Sequence, residues 1–131
     1  MEDKELRFWT TNGNHFLVAS LKSQPEKVIG CVAYQDIGSG TIEVNRLSVD
    51  SGFRGLGIAK SLMDTVFYAA KKSGHTRVYL VTSNGHESAI QLYRKLGFKE
   101  VIGKFKPSRR MSNFLAILHL KTYHEFSFNL K

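Results

Sequence analysis

The chain has 131 residues, of which 19 are lysine or arginine and 11 are aspartate or glutamate, giving a formal net charge of +8. This length supports one domain with its own core and is too short for two, so we expect a single domain over residues 1–131. The single cysteine, Cys31, excludes an internal disulfide, and the basic charge favours an anionic ligand, a nucleic acid or an acidic surface without choosing among them.

The N-terminal part predicts a short helix followed by an antiparallel meander. Residues 3–11 are interpreted as the helix, ended by the left-handed tendency of Asn12-Gly13-Asn14. Two apolar strands follow, over residues 16–19 and 28–34, with a proline-containing turn between them. The chain therefore begins with elements that pair locally.

The third strand, predicted over residues 41–49, carries a slip in its alternation. Apolar residues stand at Ile42 and Val44 but resume at Leu47, because position 46 is Arg46. One extra residue is what a β-bulge inserts, and bulges are over-represented beside active sites. The alternative is that positions 45 and 46 form an exposed edge.

A glycine-rich turn, Arg54-Gly55-Leu56-Gly57-Ile58-Ala59, joins this strand to a strongly patterned helix that begins near Gly57. The free backbone N–H groups and the helix dipole make such a turn suitable for phosphate. Gly55 and Gly57 allow close approach to the backbone, and Arg54 can add a forked contact. By itself the motif is short, and a simple strand-to-helix turn is the preferred explanation until the neighbouring residues are considered.

The second half of the chain predicts one crossover and a closing hairpin. The helix ends at Ser73-Gly74 and a strand over residues 77–82 follows, so that the strands on either side of the helix run parallel. A second helix is predicted over residues 87–96, capped by Ser83 or Asn84. The remaining predictions are a strand over 98–105, a basic loop over 106–110, an irregular or extended stretch over 111–120 and a last strand over 122–130.

These pieces resemble the GNAT superfamily of N-acetyltransferases. The resemblance is carried by Leu47-Ser48-Val49-Asp50, by the R-x-x-G-x-G/A pattern from Arg54 to Ala59, by Asn84, and by Leu92-Tyr93-Arg94-Lys95-Leu96-Gly97-Phe98. It covers residues 15–130, and within the superfamily it looks most like camello-type N-acetyltransferases. The fold it implies is α/β (α+β), with a mixed, mostly antiparallel sheet, a central parallel βαβ crossover and an apparent lack of the usual first strand and first helix.

The resemblance also implies a ligand and a reaction. Acetyl-CoA would be the acetyl donor, with no metal, and a primary amine would attack it directly in a ternary complex. The acceptor would be an amino acid, a cysteine conjugate or a protein lysine. The cofactor-binding residues implied are Leu47, Ser48, Val49, Arg54, Gly55, Leu56, Gly57, Ile58, Ala59, Asn84 and Tyr93.

Two side chains are candidates for proton transfer. Tyr93 would protonate the departing thiolate, although without the resemblance it would be interpreted as an amphipathic core residue. Glu43 could accept the amine proton through water, or could equally be a solvated strand residue. His119 and His124 are five residues apart, and we expect no metal site there.

The chain departs from the camello-type pattern at two points. Arg46 stands where those proteins carry histidine, and no hydrophobic membrane segment precedes the domain, so the chain itself is expected to be cytoplasmic while its relatives are membrane-anchored. The apparent late start predicts an uncovered edge at Phe16–Leu21, which a homodimer could cover. The alternative functions are a catalytically impaired acetyl-CoA-binding or partner-binding module and, third, a basic nucleic-acid binder, although no specific nucleic acid is expected as partner.

Overall fold

The computed structural model describes residues 3–83, 87–101 and 123–130. The chain divides into two compact units, one of residues 1–78 with 130–131 and the other of residues 79–129. In chain order the elements are β1 Lys4–Thr11, β2 Asn14–Leu21, β3 Gln24–Gly38, β4 Thr41–Val49, a 3₁₀ turn Ser51–Phe53, α1 Ile58–Lys72, β5 Arg77–Ser83, α2 Glu87–Lys95, β6 Lys99–Val101 and β7 Tyr123–Asn129.

The first unit is an antiparallel meander in the order β1-β2-β3-β4, followed in the sheet by the start of β5. A helix, α1, lies in the chain between the neighbouring strands β4 and β5, and strands joined by such a crossover run parallel. The predicted mixed, mostly antiparallel α/β fold with one parallel crossover is therefore confirmed.

The prediction of a short helix over residues 3–11 is wrong, because these residues form β1 and pair along their length with β2. Asn12 and Gly13 both have positive φ, of 50° and 75°, and close a two-residue hairpin turn of the kind that Asn-Gly favours. Phe16–Leu21 is consequently covered by β1, so the argument from an uncovered edge no longer supports a homodimer, and the homodimer stays an untested prediction.

The first unit's core lies where α1 packs against β2, β3 and β4. The predicted periodicity is confirmed, since the buried face of α1 is formed by Ile58, Leu62, Met63, Val66 and Ala70. The closest approach is at Gly30 of β3, where an added Cβ would lie 3.1 Å from the Ile58 side chain and 3.3 Å from the Leu62 side chain. Glycine at this position allows the helix to lie directly on the sheet.

The second unit holds the greater part of β5, α2, and the hairpin of β6 and β7, with β7 between β5 and β6. Its core is aromatic: the Tyr93 ring contacts Phe98 and Phe126 at centroid distances of 5.8 and 5.7 Å. The chain turns back after α2 through Gly97, whose φ is 100°, as the sequence predicted. The predicted cap at Asn84, the basic loop over 106–110 and the stretch over 111–120 lie outside the described residues.

The close packing at Gly30 predicts that this position tolerates no side chain. A Gly30→Ala substitution would also place its Cβ 3.2 Å from the Ser48 carbonyl oxygen, so we expect a loss of about 1–3 kcal/mol in the free energy of unfolding. The measurement is urea-induced unfolding followed by circular dichroism. Gly52→Ala is the matched control, because its Cβ would meet only Asp50 Oδ1 at 3.8 Å. Equal stability of the two variants would contradict this packing.

Candidate active site

The slip predicted in β4 is present as a bulge. Ala33 of β3 pairs with Asn45 and Cys31 pairs with Ser48, so that Arg46 and Leu47 together oppose the single residue between Ala33 and Cys31. Arg46 has a φ of 55°, in the left-handed region that a non-glycine residue rarely adopts. The strand therefore bends here, and the alternative of a plain exposed edge is wrong, although Arg46 itself is exposed.

Hydrogen bonds hold the chain that leaves β4. The Asp50 N–H donates to the Ile29 carbonyl oxygen at 2.8 Å, and the Asp50 carboxylate accepts from the Gly52 N–H at 3.1 Å. Arg54 Nε donates to the Val49 carbonyl oxygen at 3.3 Å. These contacts fix the position of the glycine turn relative to the end of the bulged strand.

The glycine turn is open on the side where a ligand would approach. Gly55 and Gly57 both have a φ of 79°, and a Cβ added to either would meet no atom within 4 Å. Gly57 is the N-cap of α1, no side chain caps the first amides, and the first turn of α1 carries no acidic residue. An uncapped helix start with an unobstructed backbone leaves room for a diphosphate, and phosphate binding at this turn stays a prediction.

The remaining side chains of the turn have graded exposure. Arg54 and Leu56 are exposed, Ala59 is half-buried, and Ile58 is buried against the sheet. In the bulged strand Leu47 and Val49 are half-buried and Ser48 is exposed. The first unit thus brings together nine of the predicted cofactor-binding residues, and Arg54 links the two groups through its bond to Val49.

Glu43 is buried, with 2% of its surface exposed, so the interpretation as a solvated strand residue is wrong. It pairs with Gln35 in the ladder between β3 and β4, and Gln35 Nε2 donates to Glu43 Oε1 at 3.4 Å. A carboxylate is retained in such a place only when polar groups or solvent stabilise it. The Gln35 contact could not be predicted from the sequence pattern, because it depends on the register of the two strands.

Tyr93 lies in the second unit, where its side chain is 9% exposed. Burial raises the pKa of the Tyr93 hydroxyl above its ordinary value, and the phenol is neutral at physiological pH, as a tyrosine ordinarily is. A neutral phenol can donate a proton, which is the role that sequence resemblance implied. Asn84 lies outside the described residues.

Sequence reasoning assigned no role to Asp50. Its carboxylate caps the turn after β4 and so sets the direction in which the glycine loop leaves the strand. An aspartate two residues before a glycine is a recognised turn signal, and Asp50-Ser51-Gly52 carries it. Over the described ranges, no group of three or more histidine, cysteine, aspartate or glutamate side chains could hold a metal ion.

Comparison with known proteins gives a family match over most of the chain. The model of the acetyltransferase (GNAT) family matches residues 1–98. Human N-acetyltransferase 8B is 39% identical over 105 residues, a match that covers 76% of this chain and 45% of the relative. N-acetylaspartate synthetase of Danio rerio is 40% identical over 102 residues, covering 77% of this chain and 35% of the relative.

The resemblance to camello-type N-acetyltransferases is confirmed by the N-acetyltransferase 8 relatives, and the chain spans less than half the length of the relatives named above. Among solved structures, a GNAT family acetyltransferase from Elizabethkingia anophelis with acetyl-CoA bound has a TM-score of 0.75 at 15% identity, covering 99% of this chain and all of that one. This second likeness shows the fold. None of the helices in the described residues has the length and apolar character needed to cross a membrane.

The open glycine turn predicts that a side chain at Gly57 obstructs phosphate binding. Gly57→Val should weaken acetyl-CoA binding at least tenfold, because the new side chain enters the space beside the first amides of α1. Gly74→Val is a matched control. Gly74 lies just after the other end of α1, its φ is also positive, at 88°, and an added Cβ would meet no atom within 4 Å. Both variants carry similar backbone strain, of about 1–2 kcal/mol. The measurement is calorimetric titration with acetyl-CoA, and equal affinities of the two variants would refute the assignment.

Proposed function

The chain belongs to the acetyltransferase (GNAT) family, and from that premise we propose that it transfers the acetyl group of acetyl-CoA to a primary amine. One observation carries the proposal: a bulged strand is followed directly, in the same unit, by a glycine turn that is open and leaves the helix start uncapped. The strand would hold an extended amide chain and the turn would hold the diphosphate attached to it. Few ligands other than a coenzyme A thioester combine those two groups.

The pantetheine arm is proposed to lie along the bulged end of β4. A bulge removes one residue from the ladder, and backbone groups at Leu47 and Val49 could pair with the amides of the arm as an added strand would. The diphosphate would then be bound by the amides from Arg54 to Ala59, with Arg54 beside it. Asn84 is proposed to bond the pantetheine amides.

The chemistry proposed is direct attack of the amine on the thioester. The amine nitrogen forms a bond to the carbonyl carbon while the carbon–sulfur bond breaks, and the amine loses a proton as the thiolate gains one. A backbone N–H near Leu47 would polarise the carbonyl oxygen. Alignment of the two reactants would supply much of the rate, because effective concentrations in such sites are high.

Glu43 and Tyr93 are proposed as the proton-transfer residues. Glu43 is an acceptor of hydrogen bonds on the bulged strand, three residues before Arg46, and could take the amine proton through water. Tyr93, a neutral phenol, would give a proton to the thiolate. Both side chains are buried, which strengthens their electrostatic effect on a reacting group.

The acceptor is proposed to be a primary amine of an amino acid, a cysteine conjugate or a protein lysine. One relative is named for the synthesis of N-acetylaspartate. Because the matches cover 45% or less of the two relatives compared above, their acceptors are not assigned to this chain. Amino acids, cysteine conjugates and protein lysines are all primary amines that the same chemistry would accept. An acetyl-CoA-binding module without turnover is the competing outcome.

The test compares Tyr93→Phe with Tyr34→Phe, a buried tyrosine of β3 whose pKa is raised by the same cause. Tyr93→Phe should bind acetyl-CoA with unchanged affinity and lower kcat by about 10²–10⁴-fold, the usual contribution of a proton donor. Tyr34→Phe should leave both the affinity for acetyl-CoA and kcat unchanged.

Glu43→Gln provides the second arm of this experiment. It keeps the size of the side chain and its pairing with Gln35 while removing the proton acceptor, so kcat should fall and the acidic limb of its pH profile should disappear. The assay is thiol release over a panel of primary amines. Binding of acetyl-CoA without turnover on any amine by the parent chain would support the module instead of the enzyme.

A further inference from the structure

Two lysines that sequence analysis left without a role lie at the two sides of the glycine turn. Lys4 of β1 donates a hydrogen bond from Nζ to Ser61 Oγ, in the first turn of α1. Lys27 of β3 has its Nζ 5.3 Å from the centroid of the Phe53 ring, in the 3₁₀ turn immediately before Arg54. One ammonium is therefore placed after the turn and the other before it.

Strand pairing explains why residues so far apart in sequence reach this place. Lys4 pairs with Leu21, and Leu21 pairs with Gln24 at the start of β3, so the first residues of β1 and β3 lie at the same end of the meander. The same end receives the last residues of β4, because Gly30 pairs with Val49 and the Asp50 N–H donates to the Ile29 carbonyl oxygen. The glycine turn starts from this end.

The position of Lys4 is electrostatically unfavourable in the absence of an anion. The start of an α-helix carries a partial positive charge, and a nearby ammonium raises the free energy of the folded state. The partner of Lys4 is a neutral hydroxyl, and none of the ion pairs among the described residues includes Lys4 or Lys27. Because the Lys4–Ser61 contact is partly buried, water screens the repulsion between the ammonium and the helix start less than it would at an exposed site.

Three carboxylates near this end have hydrogen-bond or ion-pair partners of their own. The Asp3 carboxylate accepts from Ser23 Oγ, the Asp50 carboxylate accepts from the Gly52 N–H, and Asp64 pairs with Lys60 at 2.7 Å. This end of the first unit therefore presents two ammonium groups around a backbone site that itself attracts anions.

We propose that Lys4 and Lys27 bind a phosphate group of acetyl-CoA at the two sides of the glycine turn. This rests on the proposed function and adds side chains from β1 and β3 to a site that the family pattern places in the turn alone. Acetyl-CoA carries two kinds of phosphate, the diphosphate and the 3′-phosphate of the ribose. Lysine ammonium groups, as point charges on long flexible stems, can serve either.

The test measures the affinities of acetyl-CoA and of acetyl-3′-dephospho-CoA by calorimetry for Lys4→Gln and Lys27→Gln. The matched control is Lys71→Gln, which removes the same charge from the last turn of α1, at the opposite end of the helix. Each test variant should bind acetyl-CoA about three- to tenfold more weakly than the control does, in keeping with a charge-assisted contact at a partly exposed site. The difference should shrink at high salt.

The two ligands distinguish the two phosphates. A loss seen with acetyl-CoA and absent with the dephospho analogue assigns the lysines to the 3′-phosphate, whereas equal losses with both ligands assign them to the diphosphate. Lys4→Arg should restore affinity because it keeps the charge, and Ser61→Ala should give a smaller loss because it removes only the hydroxyl that positions Lys4. The thermal unfolding midpoint of each variant verifies that it is folded.

The proposal would be overturned if the parent binds acetyl-CoA but Lys4→Gln and Lys27→Gln bind both ligands as tightly as the Lys71→Gln control does. Failure of the parent chain to bind acetyl-CoA would instead overturn the proposed function, together with this inference. The two failures are therefore separated by the parent titration.

Discussion

An extra residue in β4 displaces that strand from its ladder with β3, and the rest of the candidate site depends on this displacement. Arg46 adopts a left-handed backbone conformation to accommodate it, at a cost of order 1 kcal/mol that the pairing on both sides of the bulge must offset. Without the bulge, Leu47 would pair in the ladder in the ordinary way, as Val49 does with Gly30. With it, the end of β4 has backbone groups that can serve a ligand.

The bend is useful because the chain after β4 is held firmly. Asp50 caps the 3₁₀ turn and Arg54 bonds back to Val49, so the glycine turn has a defined position relative to the bulge. Gly30 lets α1 lie close to the sheet, and this contact fixes the start of the helix whose amides complete the site. The strand, the turn and the helix start are therefore held together in one unit, as the proposed binding of an elongated anionic ligand requires.

Much of this could be predicted from the sequence because the signals are local. The slip between Val44 and Leu47, the glycine pair before a periodic helix, and Gly97 after α2 each reflect the preference of a few neighbouring residues. The prediction of a helix over residues 3–11 is wrong because Asn12-Gly13 favours a hairpin turn, and this preference is a stronger signal than the apolar pair Phe8-Trp9. The exposure of Phe8 and Trp9 agrees with an outer strand and not with the buried side of a helix.

Contacts between distant residues could not be predicted in this way. The burial of Glu43 beside Gln35, the approach of Lys4 to Ser61 and that of Lys27 to Phe53 all follow from strand register and helix placement, which sequence patterns leave open. Tyr93 is intermediate: its position in a helix was predictable, but its burial among aromatic rings, which raises the pKa of its hydroxyl, was not.

The most direct test of the central claim is hydrogen–deuterium exchange of backbone amides with and without saturating acetyl-CoA. If the bulge and the glycine turn hold the ligand, acetyl-CoA should slow exchange at residues 46–49 and 55–60, which belong to these two segments. Amides of the β1–β2 hairpin turn at Asn12 and Gly13 should be unaffected. Slowed exchange confined to other segments, with residues 46–49 and 55–60 unchanged at saturation, would contradict the account.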